Sequence, residues 1–422
     1  MKSISLLSEM PEGLTETQVR HALSEMLGSL PSPPRKVLLV PPDYTRMHSY
    51  AGIIARLVWE QLEPACRVDI LPALGTHVAM SREEWAAMYA GIPFERMLLH
   101  HWRDEVVHIG DIPGSFVHEV SGKKMDSSIP VEINRHLLDS SYDLILSIGQ
   151  VVPHEVAGMA NHAKNILIGC GGSGMINASH MLGAVCEMEG IMGRGSTAVR
   201  ALFDYASIHF IKSLPLYYAL TVTTAPGDKV SLHGLFIGNE RDIFDAAVRL
   251  SQEKNITVLD SPIQKAVVRL DEGEFKSTWL GNKAIYRTRM AIADGGELFI
   301  LAPGVMRFGE DGETDRLIRK YGYRGRDRIL SLAKEQEDLQ KNLSAAAHLI
   351  HGSSDGRFSI TYCTRHLNRE EVEGVGYRYL PYEEAYLRYG GLNEGWGTTP
   401  DGEKVYSIHN PALGLWTVKG RI

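Results

Sequence analysis

The sequence has little of what announces several common functions. Its 422 residues hold four cysteines, Cys66, Cys170, Cys186 and Cys363, far apart and with no Cys-x-x-Cys pair. Neither a disulfide framework nor a structural zinc site is indicated, and buried free thiols are expected. Lys+Arg number 44 against 51 Asp+Glu, a net charge of −7 with no run of five or more like charges. That excludes the basic footprint of a nucleic-acid partner. Apolar stretches fall well short of the about 18 residues that a membrane span needs. The opening MKSISLLSEMPEG meets acids and a proline before any signal-like core forms, so a cytoplasmic protein is expected. The Walker spacing G-x-x-x-x-G-K-[ST] is also missing.

What is present is an α/β rhythm. The run 35–43, RKVLLVPPD, reads as a buried strand ending in a turn, 51–62 has helical apolar spacing, and 66–77 is strand then loop. Ser81 and Glu84 form a capping-box signature for a helix closing at Gly91. The runs 142–152 and 164–169 look like further strands, which predicts a mostly parallel sheet with helices on both faces. A second α/β block begins with ITVLDSP. In it a helix closes at Asp294-Gly295-Gly296, a strand follows, and one long helix spans 327–352. The expectation is two α/β domains, 1–258 and 259–422, with mostly parallel sheets flanked by helices and the active site in the cleft between them.

Ligands of open α/β sheets sit at the carboxyl ends of strands. Four polar clusters hold that address: Asp43, Thr45 and Arg46 after the first strand; Thr76 and His77 after the next; His154 after YDLILSI; and GCGGSG, residues 169–174, with His180 six residues beyond. Each has an ordinary structural role as well. An Asp-x-x-Arg turn is commonly a local ion pair, a histidine after a strand is commonly a hydrogen-bonded fixture, and Lys164 is accounted for by simple solvation. Their convergence at one sheet edge is what single-residue explanations leave out. Two histidines on different loops suit general acid and base, an arginine suits a carboxylate, and a lysine in an apolar setting has a depressed pKa and suits covalent attachment.

The residues DYTR, ALGTH, VVPHEVAGMANHAK, the glycine turn and INASH resemble the nickel-pincer-nucleotide lactate racemases and their 2-hydroxyacid racemase and epimerase relatives. So do the ten-residue step from His154 to Lys164 and the sixteen-residue step to His180. NKAIYRTRMAIADGG is similar to the family's C-terminal lysine helix. The resemblance covers about residues 35 to 305 and is weak beyond.

It implies nickel and a pyridinium-3,5-bisthiocarboxylic acid mononucleotide-type pincer, attached covalently through Lys164, with His180 completing a nearly square-planar metal. It implies His77 and His154 as the acid/base pair, and Asp43, Thr45, Thr76, Gly171 and Gly172 as cofactor contacts. Arg46 and Lys283 are implied for the substrate carboxylate. The chemistry implied is inversion of C2 of a small 2-hydroxy acid by reversible hydride transfer, with cofactor-biosynthesis and insertion proteins as partners. Asn161 and His162 stand where the lactate-specific members have small residues, and Leu280 where glutamine is frequent. Together with IMGR at 191–194 this points to a divergent branch and, through hydrogen bonds from Asn161 and His162, to a sugar acid such as an aldonate. A 2-hydroxyacid oxidoreductase and a non-catalytic cofactor carrier are the alternatives.

Overall fold

The computed structural model describes residues 3–225, 229–412 and 414–421. The chain forms two compact units, Met1–Ser179 with Gly193–Asn255, and His180–Met192 with Ile256–Ile422. A single division near residue 258 is thus a passage at 255–256, together with a short segment, 180–192, that packs within the second unit.

The first unit contains strands β1 Ile4–Leu7, β2 Lys36–Val40, β3 Arg67–Ile70, β4 Val106–Ile112, β5 Ile129–Asn134, β6 Leu144–Gln150, β7 Pro153–His154, β8 Gly158–Met159, β9 Leu216–Thr224 and β10 Ser231–Gly238. Its six-stranded sheet runs β1-β10-β9-β6-β2-β3. The strands β9, β6, β2 and β3 pair in parallel, and β10 and β1 close one edge antiparallel. The unbroken apolar run Val37–Val40 and the fully buried β6 are what strands covered on both faces require. Helix Ala51–Leu62 buries Ala51, Ile54, Ala55, Val58 and Leu62 on one stripe. The capping box of Ser81 and Glu84 forms, but its helix ends at Met88, because Tyr89 is drawn into the core with its hydroxyl on the Pro42 carbonyl.

The second unit has β11 Ile256–Leu259, β12 Ile263–Arg269, β13 Ile292–Leu301, β14 Ser359–Thr364, β15 Arg378–Pro381, β16 Gly395–Thr398, β17 Lys404–Ile408 and β18 Leu415–Val418. Its main sheet runs β15-β14-β13-β12-β17-β16, parallel except for β16 on β17, and β11 pairs with β18. Both sheets are therefore mostly parallel and flanked by helices.

Three further sequence expectations differ from the structure. Residues 163–167 form a helix, not a strand: β2 and β6 already have neighbours on both sides, so KNILI has no central edge to join. A short apolar run fits either period, and here it takes the helical one. The helix before β13 ends at Thr288, and Asp294-Gly295-Gly296 is a bulge inside β13, where pairing steps from Ile263↔Ile292 to Lys265↔Glu297 with Gly295 at φ 76°. The long helix is three: Arg326–Glu335, Glu337–Lys341 and Leu343–His351. Gln336 and Asn342 leave helical geometry between them, and the Asn342 side chain accepts the Ala345 N–H to cap the last.

The segment 180–192 is held to the second unit by packing and charge. Met188 and Met192 share a core cluster with Tyr286, Met290 and Leu415. The Glu189 carboxylate lies 2.7 Å from Arg289, whose side chain is 3% exposed, and 3.2 Å from Arg357. Burial raises the Glu189 pKa, but the two guanidiniums outweigh it and hold it below the usual range. Stranding a buried ion costs about 3–5 kcal/mol, and Arg289 keeps the Ser353 carbonyl. Glu189→Ala is therefore expected to destabilise the protein by about 2 kcal/mol, read as a lower urea midpoint with unchanged slope.

Candidate active site

Parallel pairing of β2 with β3 and with β6 sends three loops out at the same sheet edge, and the polar residues of those loops meet there. After β2, Asp43 starts a 3-10 turn, Tyr44–Ser49, by accepting the Thr45 N–H at 3.2 Å and the Thr45 hydroxyl at 2.5 Å. Its other oxygen lies 2.6 Å from Nδ1 of His77, on the loop after β3. Asp43 is buried while the His77 side chain is half exposed. Burial alone raises this carboxyl, but the hydrogen bond and charge of His77, the Thr45 hydroxyl and the Arg46 charge together hold it below its ordinary value. An ionised Asp43 fixes the His77 proton on Nδ1 and turns the Nε2 lone pair outward, the arrangement of an oriented base. Thr76 and Arg46 are exposed on the same two loops.

The second histidine is set the opposite way. His154 sits on the β7–β8 hairpin, where its Nδ1 receives the backbone N–H of Val156 at 3.1 Å and of Ala157 at 3.4 Å. Those groups only donate, so Nδ1 is the acceptor and the neutral ring carries its proton on Nε2. One imidazole presents an acceptor and the other a donor.

Lys164 lies in the helix Ala163–Leu167, and the next residue pins that helix to the sheet. The Asn165 amide donates to the Val40 carbonyl at the end of β2 and to the Ser147 hydroxyl of β6, both at 3.0 Å. The loop carrying His77 is stitched to the helix's far end by Gly75 N–H to Gly169 O, 2.8 Å. The Lys164 pKa falls to about 8: burial acts most, Arg46 and Arg200 add to it, and only the Glu155 carboxylate opposes. An amine in that range is a substantial fraction neutral near neutral pH and suits attachment to an acyl carbon.

Other expected residues have different surroundings. The run Gly169–Gly174 has the spacing G-x-G-x-x-G but follows a helix rather than a strand, so it is not a dinucleotide turn. A Cβ on Gly171 would fall 1.9 Å from the Leu167 carbonyl, and one on Gly172 2.2 Å from the Glu132 carboxylate. The chain's own atoms thus account for both glycines. His162 is turned into the core, stacked on Tyr218 at 4.1 Å and beside Phe244 at 5.3 Å. Burial above all, then Arg200 and Arg241, depress its pKa far below the ordinary value. Asn161 is also buried and spends its side-chain oxygen on the His162 N–H. Both side chains are thus buried, with the two His162 ring nitrogens lacking a hydrogen-bond partner among the described residues. Trp416 is buried and Trp396 exposed. None of the four cysteines is in a disulfide, and Cys186 is only partly buried.

His180 and Lys283 belong to the second unit. His180 is partly buried in the helix Ser173–Val185. Lys283 opens the helix Lys283–Thr288, its ammonium 5.5 Å over the Phe275 ring, after a buried Asn282 that accepts the Tyr362 hydroxyl at 2.8 Å. Sequence reading passed over Glu155, Asn165 and Arg200. Arg200 alone left a signal, a charge set among the apolar positions Val199, Leu202, Phe203 and Ala206.

These features define an open α/β protein with acid, base and amine groups at the carboxyl edge of a parallel sheet. Residues 4–192 match the lactate racemase N-terminal domain. A crystal structure of a protein from Thermotoga maritima superposes with a TM-score of 0.84 at 22% identity, covering 98% of this chain and 100% of that one. The lactate racemase apoprotein from Thermoanaerobacterium thermosaccharolyticum superposes with a TM-score of 0.72 at 17% identity, covering 96% and 93%. At these identities the likeness is one of fold. No curated protein matches the chain. No helix among the described residues is long and apolar enough to cross a membrane.

The Lys164 environment is directly measurable. Competitive labelling with an amine reagent, followed by peptide mass spectrometry, should give Lys164 a half-maximal rate near pH 8. Ordinary lysines titrate near 10.4. A midpoint above pH 10 for Lys164 would contradict the structure.

Proposed function

We propose that this protein is an isomerase, a racemase or epimerase that inverts C2 of a 2-hydroxy acid with a nickel-pincer nucleotide tethered to Lys164. The observation that carries the reading is the pair of oppositely set histidines, His77 on Asp43 and His154 on two backbone N–H groups, at the edge where Lys164 stands. A protein that only carried the cofactor would need the lysine but not a carboxylate-oriented imidazole.

The residues present fit the group. Lys164 supplies an amine of lowered pKa for the covalent link, and His180 is the nickel ligand in this reading. The cofactor, when bound, supplies the acceptor for the substrate's Cα hydride. Arg46 and Lys283 bind the substrate carboxylate as cations. His77 Nε2 takes the hydroxyl proton and Asp43 stabilises the imidazolium that results; His154 Nε2–H donates to the oxygen as the opposite-handed alcohol forms and regains a proton at Nε2 from solvent, while His77 releases its own to solvent. For the reverse turnover His154 must accept a proton, which requires its Nδ1 to give up the Val156 and Ala157 donors. The two directions therefore place unequal demands on the two rings. Asn161 and His162, on which the expectation of an aldonate rests, are buried, and the substrate is proposed only as a 2-hydroxy acid.

The test is coexpression with the enzymes that make the cofactor. Intact mass and metal analysis should show an adduct and nickel, both lost in Lys164→Ala; their absence from the parent protein would remove the reading. In the loaded enzyme His77→Ala should lower turnover by about 10²–10⁴-fold with nickel retained. Inversion run in D2O should leave C2 free of deuterium, since a hydride does not exchange with solvent. Deuterium at C2 would replace hydride transfer by proton abstraction. A panel of lactate and longer 2-hydroxy acids assigns the substrate.

A further inference from the structure

The segment carrying His154 and Lys164 is unusually bent. Gly158, Asn161 and His162 have φ of 82°, 67° and 58°, and the last two are not glycine. The two non-glycine positions are strained and persist only where the surroundings over-determine them.

The surroundings here are one helix, Ala198–Ala206. Its cap residue Thr197 donates its hydroxyl to the Ala157 carbonyl at 3.4 Å. Arg200, 1% exposed, donates one guanidinium nitrogen to the Met159 carbonyl at 2.6 Å and the other to the Asn161 carbonyl at 3.2 Å. The guanidinium lies over the Phe244 ring at 4.2 Å, and the carboxylate one turn along, Asp204, is taken by Arg241. A buried cation that grips carbonyls instead of a carboxylate is costly unless its geometry is used. Met159 pairs with Pro153 across the hairpin that holds His154, and Asn161 begins the turn that leads into the Lys164 helix.

We propose that Arg200 is a positioning residue whose two-pronged grip on the Met159 and Asn161 carbonyls fixes both the hairpin presenting His154 and the turn leading to Lys164. The significance of those two residues rests on the reading above; the grip itself does not. Its loss frees both ends of one segment, so base and tether lose their places together.

The test uses cofactor-free protein, so its outcome stands whether or not the chain ever takes the cofactor. Hydrogen–deuterium exchange and Lys164 labelling are compared in the parent, Arg200→Met and Arg200→Lys. In Arg200→Met, exchange across residues 154–168 should quicken at least tenfold while β2 and β6 keep their protection, and the Lys164 labelling midpoint should move up by about one pH unit. In Arg200→Lys, which keeps the charge but not the planar fork, the midpoint should return toward the parent's while exchange stays faster. Exchange across 154–168 within twofold of the parent in either folded variant would overturn the proposal. So would exchange that rises evenly through the first unit, or failure of both variants to fold, each of which assigns Arg200 to the unit as a whole.

Discussion

Everything at the candidate site depends on the parallel pairing of β2 with β3 on one side and β6 on the other. Parallel neighbours must end at the same edge, so the loops carrying Asp43, His77 and His154 emerge together although they are far apart in sequence. Backbone pairing settles the edge, and side chains then settle the distances. Asn165 ties the Lys164 helix to β2 and β6 at once, and Asp43 draws His77 across from its own loop. With both flanks of β2 and β6 occupied, KNILI is left to coil above the strand ends, where it holds its lysine over them.

The electrostatics of the first unit follow from the same crowding. Burial above all makes the Lys164 amine shed its proton more readily, and the nearby charges, Arg46 and Arg200 against Glu155, add to it. Asp43 is the counterpart: its burial opposes ionisation, but its donors and neighbouring cations outweigh that. Two groups with opposite tendencies thus stand at one sheet edge.

Much of this was legible in the sequence, for identifiable reasons. Strand β2 is a continuous apolar run after Lys36, β6 is predominantly apolar, and β3 carries Val68 and Ile70 in alternation, with the polar clusters directly after them, so both the sheet and the edge could be read. The capping box at Ser81 is local chemistry and formed as read. What escaped was set by partners distant in sequence. KNILI took a helix because no sheet edge remained, the 327–352 helix broke where Asn342 found an amide to cap, and Asp294-Gly295-Gly296 became a bulge because β12 and β13 differ in length between their pairings. His162 is the clearest case: nothing in GMANHAK says that its ring turns toward Tyr218 and Phe244 rather than toward the lysine two residues on.

The fit between Gly172 and Glu132 has a consequence for how such sequences can drift. The glycine exists because a glutamate from β5 fills the volume its side chain would take, while its N–H is held by the Glu132 carbonyl at 3.1 Å. Alanine at 172 is not accommodated while residue 132 carries a side chain, since the Glu132 Cβ as well as its carboxylate lies within 3 Å of the place the new methyl would take; only glycine at 132 first leaves room for it. The order of two changes is therefore constrained, and related chains should be passable by one mutational path and blocked on the other, although neither residue need touch a ligand.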